Sequence, residues 1–176
     1  MFIFHIYINT LIYSYVIIKF KKVSMKLNDK LKNLSFQVEE NKEINDSDLK
    51  DNTTIIYFYP KDDTPGCTKE AIEFGNYYEN LKKLGVKIIG VSKDSIEKHK
   101  KFKNKYNIKF DLASDDGTLC NLFNVWVEKS MYGKKYMGIQ RSTFVVDKDL
   151  KIISVWRNVK VKGHVEEVYN FIENLG

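Results

Sequence analysis

Apolar positions along this chain fall into short β-branched or aromatic runs separated by longer stretches with helical spacing. Leu34 to Glu39 alternates enough for a short strand, and Asn41 to Asn52 reads as a polar turn region. Ile55 to Tyr59 is the first convincing core strand, and Pro60 cannot continue its hydrogen-bond ladder. The spacing of Ala71, Phe74, Tyr77, Tyr78 and Leu81 predicts a helix over Cys67 to Leu84, with Gly85 as its stop. Val86 to Val91 is a second buried strand, and Ser95 is placed to cap a helix over Ile96 to Tyr106. Phe110 to Ala113 reads as a strand, Asp115-Asp116-Gly117 as a turn and Thr118 to Phe123 as a short helix. The glycine-punctuated stretch Val125 to Gly138 predicts irregular structure. Ser142 to Val146 and Ile152 to Arg157 read as strands joined by Asp147-Lys148-Asp149, as in a hairpin, and Val165 to Leu175 as a closing helix. This order predicts an α/β domain with a central mixed sheet and helices on both faces.

Met25 to Gly176 reads as one domain without linkers or repeats, long enough for a real core without disulfide staples. Residues 1–24 differ in character: an apolar run over Phe2 to Ile18 precedes Lys19, Lys21 and Lys22. Three readings stay open for this extension: a start assigned too far upstream, a targeting peptide or a weak membrane anchor. Those three lysines account for half of the net charge of +6. Lys98, Lys100, Lys101, Lys103, Lys105 and Lys109 share helical spacing with Phe102 and Tyr106, which predicts a solvated helix face. With no helix-turn-helix, RNP or zinc-finger pattern, neither a nucleic-acid nor a membrane partner is expected for the domain. The two cysteines, Cys67 and Cys120, are not a secreted disulfide framework, so a reducing, cytoplasmic setting is expected. His5, His99 and His164 are scattered, and no metal or cofactor is implied.

Chemistry concentrates in Tyr57-Phe58-Tyr59-Pro60-Lys61-Asp62-Asp63-Thr64-Pro65-Gly66-Cys67-Thr68-Lys69-Glu70. A strand stops at a proline, a polar loop follows, and Thr64-Pro65 signals a helix start with Thr64 as N-cap. Gly66 lets a second molecule approach the backbone, and Cys67 sits among unpaired amides at the positive end of the helix, a setting that favours thiolate. Here the sequence resembles the peroxiredoxins, whose Pro-x-x-x-Thr-x-x-Cys motif is matched by Pro60, Thr64 and Cys67. The longer string Tyr-Pro-Lys-Asp-Asp-Thr-Pro-Gly-Cys-Thr-x-Glu is similar to the bacterioferritin comigratory protein (PrxQ) branch. The resemblance spans about Met25 to Gly176 and implies a thioredoxin-like fold.

It also implies a thiol peroxidase that reduces hydrogen peroxide and organic hydroperoxides, with Cys67 as the peroxidatic residue passing through a sulfenic acid. Thr64 carries over as a hydroxyl bonding thiolate and peroxide, and Pro60 as a shield of the pocket. The segment Gly138 to Phe144 resembles the family's arginine segment, so Arg141 carries over as the residue polarising thiolate and peroxide. Many PrxQ members have a resolving cysteine five positions after the peroxidatic one; that position is Ile72 here. Cys120 is the other thiol, read either as a resolver or as a packing residue. One-cysteine behaviour follows as the expectation, with thioredoxin, glutaredoxin or glutathione as reductant and the chain acting as monomer or weak dimer. Trp126, Met131, Tyr132, Tyr136 and Trp156 are readable as a pocket mouth or as packing, and His164 as a helix cap. Competing readings are a disulfide reductase, disfavoured by the lack of Cys-x-x-Cys, and a peroxide-sensing switch or holdase without sustained turnover.

Overall fold

Strand β3 (Thr53–Phe58) is apolar on both sides, and the fold is what buries both. Along it, Ile55 and Tyr57, continued by Tyr59, enter one core cluster, while Ile56 and Phe58 enter another. That alternation is the two-residue period of a strand with a layer packed on each face. The computed structural model describes residues 25–175; the expectations for residues 1–24 lie outside them.

Among the described residues, seven strands form the main sheet in the order β2-β1-β5-β4-β3-β8-β9, with β1 at Ser35–Glu39, β2 at Lys42–Asn45, β4 at Val86–Ser92, β5 at Asp111–Ser114, β8 at Ser142–Val146 and β9 at Ile152–Arg157. β3, β4 and β5 are parallel, whereas β8, β9, β1 and β2 pair antiparallel. The parallel pairs require crossovers, supplied by helices α2 (Pro65–Lys83) and α3 (Ile96–Tyr106). Phe74 of α2, Phe102 of α3 and Val165, Val168 and Ile172 of α5 (His164–Glu173) cover the Tyr57 face. Leu49 of α1 (Asp46–Leu49) and Leu119 and Cys120 of α4 (Thr118–Leu122) cover the Phe58 face. The expected mixed sheet with helices on both faces is therefore present, in the thioredoxin-like arrangement.

Two stretches differ from expectation. The polar turn region 41–52 contains β2 and α1, each anchored by a single buried side chain, Ile44 and Leu49. Helix α1 starts with a capping box in which Asn45 and Asp48 satisfy each other's backbone N–H groups. One apolar anchor per element leaves no period to read. The stretch expected to be irregular is a hairpin, β6 (Trp126–Met131) with β7 (Lys134–Ile139), which among the described residues pairs only to itself. Its outer part faces solvent on both sides, so no alternation marks it. Asp147, by contrast, closes the expected β8–β9 turn by accepting the N–H groups of Asp149 and Lys151.

Candidate active site

Helix α2 is the next element after β3, across the short loop Tyr59 to Thr64, so its first turn lies over the carboxyl ends of the parallel strands, where open α/β sheets place their sites. Thr64 is the N-cap with extended backbone, and its carbonyl accepts from the N–H of Thr68 at 2.8 Å. Its hydroxyl makes no capping bond and instead donates to the carbonyl of Lys61 at 3.1 Å. Pro65 occupies the first helical position, where its missing N–H is not needed, leaving the amides of Gly66 and Cys67 without intrahelical acceptors. A Cβ on Gly66 would stand 3.5 Å from a guanidinium nitrogen of Arg141, ordinary van der Waals contact, so the helix start and the arginine are close neighbours.

Arg141 reaches the site through strand pairing. β8 runs antiparallel beside β3 with Phe58 opposite Ser142, which sets Arg141 at the same sheet end as Pro60 and the start of α2. There Nη2 donates to Cys67 Sγ at 3.2 Å, and Nη1 donates to Glu70 Oε2. Cys67 is 2% exposed and Glu70 fully buried. Burial pushes the Glu70 carboxyl up to about 7, with Arg141 pulling the other way. Burial also opposes the charge on Arg141, but Glu70 and Cys67 outweigh it and hold the guanidinium above its ordinary range. The result is a cation fixed at a sulfur, with a buried carboxyl as its second partner. A cation fixed there is placed to stabilise negative charge that develops during reaction at the sulfur or at an oxygen beside it.

Glu70 belongs to the motif but was not among the residues expected to act. Its three-residue spacing from Cys67 on one helix face was the available signal, because i and i+3 side chains share a face. A second unanticipated group stands behind the loop. Asp62 accepts from Tyr59 Oη at 2.6 Å, lies 2.7 Å from His99 Nδ1, and its N–H donates to Asp94 Oδ2 at 2.8 Å. Asp63 accepts from Lys105 and from Tyr106 Oη. The loop between Pro60 and Thr64 is therefore clamped to α3 and to the end of β4. His99, which forms no legible motif, is a tertiary partner whose role is set by the fold.

Cys120 is fully buried in the cluster on the Phe58 face, whereas Cys67 belongs to the cluster on the Tyr57 face. The sheet separates the two thiols. Burial first, and then hydrogen bonding to Asp115, drives the Cys120 thiol far up. Among the expected mouth aromatics, Trp126 packs against the Phe58-face core and lies under Lys93, while Trp156 packs on His164 and Phe171. Met131, Tyr132 and Tyr136 are exposed on the hairpin. His164 is not a cap: Gly163 is the N-cap, and His164 Nε2 lies 2.8 Å from Thr143 Oγ1 in the interior. Burial pushes its imidazole down to about 4, so it is neutral near pH 7. Ser95 likewise makes no capping bond and donates to Glu97 instead.

A family model described as AhpC/TSA matches residues 27–155. The chain belongs to the AhpC/TSA family. A peroxiredoxin Bcp of Bacillus subtilis is 44% identical over 154 residues, covering 87% of this chain and 98% of that protein. Among solved structures, a Xylella fastidiosa PrxQ variant superposes with a TM-score of 0.81 at 37% identity, covering 85% of this chain and 96% of that one. A Xanthomonas campestris bacterioferritin comigratory protein, studied for alkyl peroxide reduction, gives a TM-score of 0.76 at 36% identity over 83% of this chain and 98% of that one. These AhpC/TSA relatives place the chain in the Bcp/PrxQ group of peroxiredoxins.

Proposed function

We propose that the protein is a thiol peroxidase reducing hydrogen peroxide and organic hydroperoxides through Cys67. The observation carrying this reading is the 3.2 Å bond from Arg141 Nη2 to Cys67 Sγ at the start of α2, which sets a fixed cation beside a buried sulfur where a peroxide's departing oxygen would need it. The thiolate attacks one peroxide oxygen as the O–O bond breaks. Sulfur loses two electrons and becomes sulfenic acid, while the other oxygen leaves as alkoxide or hydroxide and takes a proton to become alcohol or water. Arg141 and the amides of Gly66 and Cys67 are the donors suited to the charge developing on those oxygens. The Thr64 hydroxyl, turned to Lys61 here, serves the peroxide only by rotating about its side chain. Pro60 ends β3 and shapes the loop.

The cycle closes with external thiols. Position 72 is isoleucine, and the sheet stands between Cys120 and Cys67. One thiol condenses with the sulfenic acid, releasing water and leaving a mixed disulfide; a second frees Cys67 as that thiol pair is oxidised. Thioredoxin, glutaredoxin and glutathione are the candidate donors. Residues 25–176 constitute the catalytic domain in this reading, acting as monomer or weak dimer in a reducing cytoplasm. No helix among the described residues is long and apolar enough to cross a membrane.

The test is hydrogen peroxide consumption by the full chain with thioredoxin and its reductase, and separately with glutathione, followed by mass analysis of both cysteines. Many turnovers per chain are expected, lost in Cys67→Ser and kept in Cys120→Ser. Consumption that stops after one equivalent with every donor would instead support a peroxide sensor.

A further inference from the structure

The β6–β7 hairpin carries a feature that neither folding nor the peroxide chemistry uses. Its two-residue turn is Tyr132-Gly133, with φ of +51° and +77°, the signs a type I′ turn requires at both central positions. Asparagine or aspartate is the favoured residue before glycine there; a bulky side chain in the left-handed region is strained and uncommon. Tyr132 is nevertheless 98% exposed, so its ring returns no packing energy within the chain. Of the eight large apolar side chains exposed among the described residues, four are on this hairpin: Met131, Tyr132, Tyr136 and Met137. Lys134 and Lys135 follow the turn directly, against a single acid on the hairpin, Glu128, paired with Lys135 at 3.0 Å; Lys129 of β6 is half-buried within electrostatic reach of Arg141 and Cys67 and is not part of the tip.

We propose that the tip of this hairpin is a peripheral docking device for anionic lipid surfaces. The shape argues for a lipid occupant over a folded partner. Met131 and Tyr132 sit at the turn itself, with Tyr136 and Met137 further down β7 on opposite faces, and so narrow an apolar tip suits insertion into a soft medium, whereas protein interfaces bury a broader patch. Tyrosine is an interfacial residue, with an apolar ring and a polar tip, and methionine adapts to irregular apolar surroundings. Flanking lysines supply attraction to anionic headgroups while their stems lie along the apolar layer. Along the chain the turn is the part of the hairpin farthest from the site: β7 spans roughly 17 Å from Lys134 to Ile139 at strand rise, and Arg141 follows two residues later. The contact is peripheral and needs no spanning helix, yet it revises the expectation that the domain has no membrane partner. Its use rests on the peroxidase reading above: a chain held at the bilayer surface meets hydroperoxides as they leave oxidised lipid.

The measurement is partition of the full chain between buffer and sedimented vesicles, of phosphatidylcholine alone or with added phosphatidylglycerol, which requires no turnover and so fails or succeeds independently of the peroxidase assay. Tyr132→Asn is the first variant, because asparagine suits the turn and protects the fold. The second pairs Lys134→Glu with Lys135→Glu. Expected are binding to the anionic vesicles that weakens with salt, a loss of about tenfold in Tyr132→Asn and of tenfold or more in the charge variant, and unchanged hydrogen peroxide turnover in both. Equal partition of wild type and Tyr132→Asn, or no partition on either vesicle, overturns the proposal. So does a vesicle-independent role: a wild-type dimer in sedimentation velocity that Tyr132→Asn abolishes, or a raised KM for a protein reductant without any lipid binding.

Discussion

Arg141 bonds two partners through different nitrogens, the sulfur of Cys67 and the carboxylate of Glu70, and a lysine could not do both in that geometry. Arg141→Lys is expected to lower kcat/KM for hydrogen peroxide by about a hundredfold, since one fixed donor to a developing charge is worth that much. Stopped-flow consumption with excess reductant reads it. Glu70 and His164 pull stability in opposite directions. Between the ordinary carboxylate value of 4.5 and about 7, folded Glu70 keeps a proton that the unfolded chain has released, so this group makes stability fall as pH rises. Between about 4 and 6.5 the unfolded histidine binds a proton that buried His164 refuses, so stability rises with pH. The two slopes oppose each other in wild type. Glu70→Gln exposes the histidine's slope, and urea midpoints of that variant should climb from pH 4.5 to pH 6.5 more steeply than those of the parent chain.

At the scale of elements, the loop that carries the cysteine is held by a polar clamp, whereas the strands beside it are held by shape. Asp62 joins Tyr59, His99 and Asp94 in the interior between β3, β4 and α3. Asp62→Ala leaves the buried His99 Nδ1 without its 2.7 Å partner and should cost about 2 kcal/mol in urea unfolding. Turnover should fall with it, because the start of α2 loses its stop. Between β3 and β4, Tyr57 lies opposite Gly90, and a Cβ there would come within 2.7 Å of the tyrosine ring and 2.8 Å of Leu112. Neither neighbour can swing away from a fully buried site, so Gly90→Ala should destabilise the fold by about 2 kcal/mol. A fall in thermal midpoint with retained peroxide activity at low temperature would identify that packing origin.

Across the whole molecule, the sheet is a partition. It puts Cys67 with Tyr57, Phe74 and Val165 on one side and Cys120 with Phe58, Phe123 and Phe144 on the other. The two thiols are buried in the cores on opposite faces of the sheet, so a bridge between them would need backbone movement. Peroxide-treated chain without reductant should therefore carry oxygen on Cys67 and a free Cys120, with no loss of mass corresponding to an internal disulfide. Intact-mass and thiol-alkylation measurements separate the two outcomes.

The central strands, the helix over residues 65–83 and the cysteine at its start were legible because each depends on local terms: β-branched runs buried on both faces, helical spacing, and a proline and glycine placed where backbone rules put them. The family string added the arginine. Illegible were β2 and α1, which rest on one buried anchor each, and the hairpin β6–β7, whose solvated outer part leaves no alternation. Thr64 and Ser95 carry capping residue types, yet their hydroxyls found other partners, because a side chain chooses among all acceptors within reach. The sequence by itself determined the sheet-and-helix order and the sulfur's place at a helix start. Only the tertiary structure decided that Arg141 lies against that sulfur, that Glu70 and His99 are buried partners, and that Cys120 is on the far side. Those relations follow from antiparallel pairing of β8 with β3 and from which face each side chain enters, and both are set by long-range register.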